Sequence, residues 1–211
     1  MAGIDAILFD FDGVLADTEP VHCACWSEVL APFGVTIEWE YYREHCMGVD
    51  DREMLRRISA AAEQPCDWEE LFARYPDKKE LFRARTLERP PFDPGLGALL
   101  EGLHRDYRLA VVTSSGRSEI DPLLAAAGLR QHFDALVCGR EAGGLKPAPD
   151  PYLLAARLIA ASAPLVVEDS APGIASARAA GFEVLAVERV SQMPELLMRR
   201  LGMPNWRSVS C

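Results

Sequence analysis

Two acidic residues, Asp10 and Asp12, directly follow a short apolar segment that ends at Phe9. If the extended geometry continues past this segment, both side chains lie on the same side of the chain, and Gly13 allows a sharp turn behind them. Two carboxylates held this close need a cation between them, or one of them must be protonated. A hard, oxygen-ligated ion such as Mg²⁺ suits this pair and would also attract a phosphate group.

Three further polar clusters occur later in the chain. Hydroxyl and backbone N–H groups between Thr113 and Arg117 suit phosphate oxygens, Lys146 lies in a loop stiffened by prolines, and Glu168 and Asp169 supply two more carboxylates. Each cluster alone is also compatible with a turn, a helix N-cap or a solvated surface. Their occurrence together, each after an apolar segment, favours a single catalytic site.

The apolar segments indicate how these clusters are positioned. Five of them are rich in valine, leucine or isoleucine, alternate with helical stretches, and end at Phe9, Thr113, Cys138, Glu168 and Val187. This alternation predicts an α/β fold, a Rossmann-like five-stranded parallel-sheet core. Because ligands bind beyond the carboxyl ends of such strands, we expect the polar clusters to lie together at that edge.

Residues 18–90 interrupt this alternation. They carry amphipathic helical patterns without a clear strand, so the sequence predicts an inserted α-helical domain. The expected organisation is a core formed by residues 1–17 and 91–211, with a helical domain at residues 18–90.

Composition limits the possible partners. Lysine and arginine number 22 against 32 aspartate and glutamate residues, so the net charge of −10 opposes nucleic-acid binding.

No apolar run approaches the roughly 20 residues that cross a bilayer, and the N-terminal segment resembles a strand more than a signal sequence. We therefore expect a cytoplasmic protein, a monomer or weak homodimer with a small-molecule substrate. The six cysteines form no CxxC pair and are expected to be reduced thiols.

Four segments together resemble the motifs of the haloacid dehalogenase-like (HAD) hydrolase superfamily, in its branch of β-phosphoglucomutase-like and phosphoglycolate phosphatase-like enzymes with a helical cap. They are DFDGVLADTE from Asp10, VVTSSGR from Val111, LKPAPDPY from Leu145 and VVEDSAPGI from Val166. The resemblance covers nearly the whole chain. It implies a Mg²⁺-dependent phosphatase that hydrolyses a small phosphomonoester, a sugar phosphate or a phosphorylated small acid, through an aspartyl-phosphate intermediate.

The resemblance also implies roles for the acidic residues. Asp10 matches the nucleophile and a metal ligand, and Asp12 matches the general acid and base, whose backbone carbonyl binds the metal. Asp169 matches a metal-binding acid, and its neighbour Glu168 binds the ion directly or through water. Dehalogenases with this pattern lack the second aspartate, so Asp12 favours phosphoryl transfer.

Further roles concern the phosphate and the substrate. Thr113 matches the catalytic phosphate-binding hydroxyl, Ser114 contributes an amide, and Lys146 matches the lysine that neutralises the nucleophile and the transferring group. Ser115 and Arg117, just beyond, are candidate substrate-binding residues.

Substrate-binding candidates in the helical domain are His22, Gly48 and Arg52. His22 is a plausible polar partner of Asp12, or a structural helix residue. The segment from Met47 to Arg52 is similar to the glycine loop of the mutases, but Asp51 stands where an arginine is expected. Asp51 would repel the second phosphate that a mutase must bind in this domain, so the phosphatase is favoured. A β-phosphoglucomutase-like phosphosugar mutase is the alternative function.

Two non-hydrolase classes share part of this pattern. A receiver-type phosphoacceptor domain has a similar sheet, but it carries its phosphorylated aspartate at the third strand, where this chain has Val137 and Cys138. A catalytically inactive binding protein on the same scaffold would not need the complete set of motif residues.

Overall fold

The structure is a computed structural model that describes residues 3–47, 49, 51–61 and 66–204. Within these residues the chain divides into two compact units, a smaller one at Thr18–Pro90 and a larger one formed by the segments up to Asp17 and from Pro91 onward.

The larger unit contains a five-stranded, all-parallel sheet with the strand order β3-β2-β1-β4-β5. Its strands are β1 (Ala6–Phe9), β2 (Arg108–Thr113), β3 (Ala135–Cys138), β4 (Pro164–Glu168) and β5 (Glu183–Ala186). The predicted parallel α/β fold is therefore confirmed, and the strand order reverses at β1, the central strand.

The smaller unit is helical in the part that the structure describes. Its helices are α1 (Glu19–Leu30), α2 (Trp39–His45), α3 (Asp51–Ala61), α4 (Trp68–Phe72) and α5 (Tyr75–Glu88). They pack around their own apolar core, in which Trp26, Leu30 and Leu55 are fully buried.

Helices cover both faces of the sheet. They are α6 (Leu96–His104), α7 (Arg117–Ala126), α8 (Asp150–Leu158), α9 (Ala171–Ala179) and α10 (Met193–Leu201). Ile7 and Phe9 of β1 belong to one apolar cluster with residues of α6, α7 and α10, while Ala6 and Leu8 belong to another with residues of α8 and α9. Burial on both faces explains why β1 is a continuous apolar run rather than an alternating one.

Two further observations concern predictions from composition. In the described part of the chain, no helix is both long and apolar enough to cross a bilayer. The five cysteines described, Cys23, Cys25, Cys46, Cys66 and Cys138, are free.

Candidate active site

The candidate catalytic residues of the larger unit follow the carboxyl ends of neighbouring strands. Asp10 comes directly after β1, Thr113 is the last residue of β2, and Glu168 is the last residue of β4. Lys146 reaches this edge from the segment between β3 and α8. The edge is where an open parallel sheet binds its ligands.

Lys146 connects two of the buried carboxylates. Its ammonium donates to Asp10 Oδ1 at 2.6 Å, to Glu168 Oε1 at 2.6 Å and to the Val112 carbonyl at 2.9 Å. All three ammonium protons therefore have an acceptor. Burial alone would lower the pKa of Lys146, but the carboxylates of Asp10 and Glu168 raise it above its usual value, so the side chain stays charged.

Asp10 is 7% exposed. Burial raises the pKa of its carboxyl group well above the usual range, the nearby charges of Glu168 and Asp12 add to this, and the ammonium of Lys146 opposes it. A second cation at Asp10 would favour its ionised form further.

Asp12 and the end of β2 are joined by hydrogen bonds. The Ser115 hydroxyl donates to Asp12 Oδ2 at 2.8 Å, and the Ser115 backbone N–H donates to Thr113 Oγ1 at 3.0 Å. Thr113 is buried, whereas Ser114 is exposed. The structure thus brings Asp12 and Ser115 into direct contact, an interaction that the motif comparison did not predict.

The turn after Asp12 requires a glycine. Gly13 has φ +78°, and a Cβ added to it would collide with the carboxylate of Asp169. A residue without a side chain therefore lets the first acidic turn approach the carboxylate that follows β4.

Three carboxylates meet at this edge of the sheet. Asp10, Glu168 and Asp169 each offer an oxygen, and these atoms lie within 4.8 Å of one another. An all-oxygen, anionic donor set is the chemistry that Mg²⁺ prefers, so these residues fit the metal that the motifs imply.

Both oxygens of Glu168 already accept hydrogen bonds, and its side chain is fully buried. Oε1 accepts from Lys146 and from the Tyr152 hydroxyl, the latter at 2.8 Å. Oε2 accepts from the backbone N–H groups of Asp169 and Ser170 and from the Ser170 hydroxyl, each at 3.0 Å. A direct metal bond to Glu168 would displace part of this set, which favours a supporting role for Glu168 beside the ion.

Tyr152 and Ser170 were not predicted as site residues. Tyr152 is fully buried on α8, and burial together with the charge of Glu168 raises the pKa of its hydroxyl well above the usual value, so the group remains a donor. Tyr152 lies in the motif LKPAPDPY and Ser170 in the motif VVEDSAPGI. Their place in these motifs was the one sequence feature that could have pointed to them.

Arg117 has partners other than the acidic cluster. Its guanidinium forms two hydrogen bonds with Glu141, at 2.6 and 2.8 Å, and a third with the Leu136 carbonyl at 2.8 Å. These contacts tie the start of α7 to β3 and the turn that follows it. They give Arg117 a structural role, and its contact with substrate stays a prediction.

The remaining predicted residues belong to the helical unit. The His22 ring on α1 stacks on Phe82, with centroids 4.1 Å apart, and the Arg52 guanidinium lies 4.9 Å from the centroid of Phe72. Asp51, the first residue of α3, accepts from the Trp26 indole at 2.9 Å. Gly48 lies outside the described residues.

Comparison with known proteins agrees with this geometry. Residues 7–187 match the family model of the haloacid dehalogenase-like hydrolases. A phosphorylated carbohydrates phosphatase of Thermotoga maritima is 32% identical, over 85% of this chain and 83% of that protein. Fructose-1-phosphate phosphatase YqaB of Escherichia coli is also 32% identical, over 86% of this chain and 95% of that protein.

A similar solved structure is that of CbbY from Rhodobacter sphaeroides in complex with phosphate. It superimposes with a TM-score of 0.70 and 30% identity, over 87% of this chain and 85% of that one. The parallel sheet, the acidic edge and these matches together show that the chain belongs to the haloacid dehalogenase-like hydrolase family.

Proposed function

We propose that this protein is a phosphatase that hydrolyses a small phosphomonoester, a sugar phosphate or a phosphorylated small acid, through an aspartyl-phosphate on Asp10. The observation that carries the proposal is the position of Asp10 at the end of the central strand, where its carboxylate is held by the buried ammonium of Lys146 at 2.6 Å. Two relatives named as phosphatases of phosphorylated sugars support the substrate class.

In the first step, a carboxylate oxygen of Asp10 attacks phosphorus, and the bond between phosphorus and the ester oxygen breaks. Asp12 donates a proton to the departing oxygen, which leaves as an alcohol. Lys146 offsets the negative charge that gathers on the phosphoryl oxygens, and Thr113 and Ser114 bind those oxygens.

In the second step, water attacks the phosphorus of the aspartyl-phosphate. Asp12, now ionised, accepts the proton of this water, the bond between phosphorus and Asp10 breaks, and inorganic phosphate is released. The hydrogen bond from the Ser115 hydroxyl would hold the carboxylate of Asp12 in place for these proton transfers.

We assign the metal site to the carboxylates of Asp10 and Asp169 and, by resemblance, to the backbone carbonyl of Asp12. Glu168 would hold neighbouring groups in place through its hydrogen bonds without binding the ion directly. Bound Mg²⁺ would supply neutralising charge to the phosphoryl oxygens. The carboxylates of the same cluster would lose their mutual repulsion when the ion binds.

Residues 18–90 are proposed as the cap that selects the substrate, with His22, Gly48 and Arg52 as its candidate contacts. The mutase alternative requires a second phosphate-binding group in this unit. Asp51, where an arginine is expected, favours hydrolysis over the mutase reaction.

The test is phosphate release from a panel of sugar phosphates, phosphoglycolate and nucleotides, with and without Mg²⁺. We expect Mg²⁺-dependent release from one class of compound. Asp10→Asn should abolish turnover, and Asp12→Ala should lower it on the order of 10²- to 10⁴-fold, the usual value of general acid–base catalysis. Asp106→Asn, on an exposed turn, is the matched control and should behave as the wild type.

Two results would contradict the proposal. Near-normal activity of Asp10→Asn would exclude the covalent route. Conversion of β-glucose 1-phosphate into glucose 6-phosphate, primed by glucose 1,6-bisphosphate and with little phosphate release, would identify a mutase instead.

A further inference from the structure

We propose that Tyr152 is a positioning residue of the active site, which acts through Glu168 to hold the ammonium of Lys146 against Asp10. This inference rests on the proposed phosphatase function. It assigns a role to a residue outside the set of catalytic and metal-binding candidates.

Tyr152 contacts both members of the buried ion pair behind Asp10. Its hydroxyl donates to Glu168 Oε1 at 2.8 Å, and Lys146 Nζ lies 5.1 Å from the centroid of its ring. Tyr152 and Glu168 are both fully buried, so water does not compete for these contacts in the folded protein. One side chain therefore neutralises part of the charge on Glu168 and offers its ring to Lys146.

Lys146 is shared equally between two carboxylates. Its ammonium lies 2.6 Å from Asp10 Oδ1 and 2.6 Å from Glu168 Oε1. The oxygen of Glu168 that accepts from Lys146 is the one that accepts from Tyr152. The tyrosine hydroxyl thus sets how strongly Glu168 competes with Asp10 for the same ammonium.

Loss of the hydroxyl has a definite direction. With one donor fewer, Glu168 Oε1 attracts Lys146 more strongly, and the ammonium moves away from Asp10. The charge that should neutralise the transferring phosphoryl group would then be displaced. Because this charge is required most in the transition state, the loss should appear in kcat rather than in KM.

The first variant is Tyr152→Phe, which keeps the ring and removes only the hydroxyl. We expect kcat to fall about tenfold, the order expected for one hydrogen bond to a charged group, with KM nearly unchanged. Tyr107→Phe is the control, because Tyr107 also lies in the larger unit but is only partly buried and packs against the other apolar cluster. It should keep the wild-type kcat.

Misfolded protein would also lower kcat without changing KM, so kcat must be expressed per binding-competent molecule. Calorimetric titration with orthovanadate and Mg²⁺ gives the number of competent sites in each preparation. A tenfold deficit that persists after this correction supports the positioning role. A corrected kcat equal to that of the wild type overturns it.

A double-mutant cycle with Glu168→Gln tests the route of the effect. If Tyr152 acts through the charge of Glu168, Tyr152→Phe should have little further effect on kcat when Glu168 is already an amide. The same fold-loss in both backgrounds would overturn the proposal. If the wild type releases phosphate from no compound and binds no orthovanadate, the proposed function itself fails, and this inference fails with it.

Discussion

At the scale of single residues, the candidate site is built from charges that depend on one another. Lys146 is buried between Asp10 and Glu168, so removing its ammonium would leave two buried carboxylates without their main counter-ion. Breaking a buried pair in this way is strongly destabilising, because the remaining charge has lost its water. Stability and the proposed catalysis therefore depend on the same side chains.

Gly173 offers a test of the position of Glu168. A Cβ added at this residue would overlap the carboxylate of Glu168, so Gly173→Ala must displace that carboxylate from its hydrogen bonds. We expect a loss of about 1–3 kcal/mol in the free energy of unfolding, the usual cost of overpacking, together with a lower kcat. Urea unfolding and steady-state kinetics measure the two effects.

The control is Gly102→Ala in α6, where an added Cβ meets nothing within 4 Å. Because alanine is the better helix former, this variant should be as stable as the wild type or more stable. The same behaviour from Gly173→Ala would show that Glu168 does not occupy the described position.

At the scale of elements, hydrogen bonds to Asp5 stabilise the end of the sheet opposite the candidate active site. Its carboxylate accepts from the backbone N–H groups of Ser162 and Ala163, at 2.8 and 3.0 Å, and from Arg108 at 2.7 Å. Partial burial would raise the pKa of Asp5, but these donors and the guanidinium charge lower it below its usual value. The ionised form is therefore stabilised in the native state.

This shift predicts a pH dependence of stability. Because the native pKa of Asp5 is depressed, its contribution is complete above the unfolded value of about 3.9 and is lost as the pH falls through the native pKa. Asp5→Asn should lower the free energy of unfolding by about 1–2 kcal/mol at neutral pH, and by progressively less as the pH falls below about 4. Urea midpoints of wild type and variant across this range measure the difference, and a gap that widens on acidification would contradict the assignment.

The sequence predicts the sheet better than it predicts the partners of its side chains. Apolar runs ending at Thr113, Cys138 and Glu168 locate the carboxyl ends of β2, β3 and β4 correctly, because a strand buried on both faces leaves a continuous apolar segment. Arg117 illustrates what the sequence does not predict, since this residue begins α7 whereas its partner Glu141 lies in the turn after β3. Such a pairing depends on how α7 packs against β3, which local spacing does not encode.

At the scale of the whole molecule, the topology collects residues that are far apart in sequence. Asp10 and Lys146 are joined across 136 positions because β1 is the central strand, and the segment after β3 returns to the same edge of the sheet. The motifs named Asp10, Lys146 and Glu168 as candidates for this site. Its internal connections, from Tyr152 to Glu168 and from Ser115 to Asp12, follow from the fold and were not visible in any single motif.

The central claim is that phosphate passes through Asp10, and the most direct measurement is to trap it there. The Asp12→Ala protein is mixed with p-nitrophenyl phosphate and Mg²⁺, quenched in acid, digested and analysed by mass spectrometry. The p-nitrophenolate group leaves without a proton, whereas attack by water lacks its general base, so the phosphoenzyme should accumulate. We predict one phosphoryl group on the peptide that contains Asp10. The double variant, which carries Asp10→Asn as well as Asp12→Ala, should show none. A phosphoryl group on another residue, or steady turnover without any phosphoenzyme, would contradict the account.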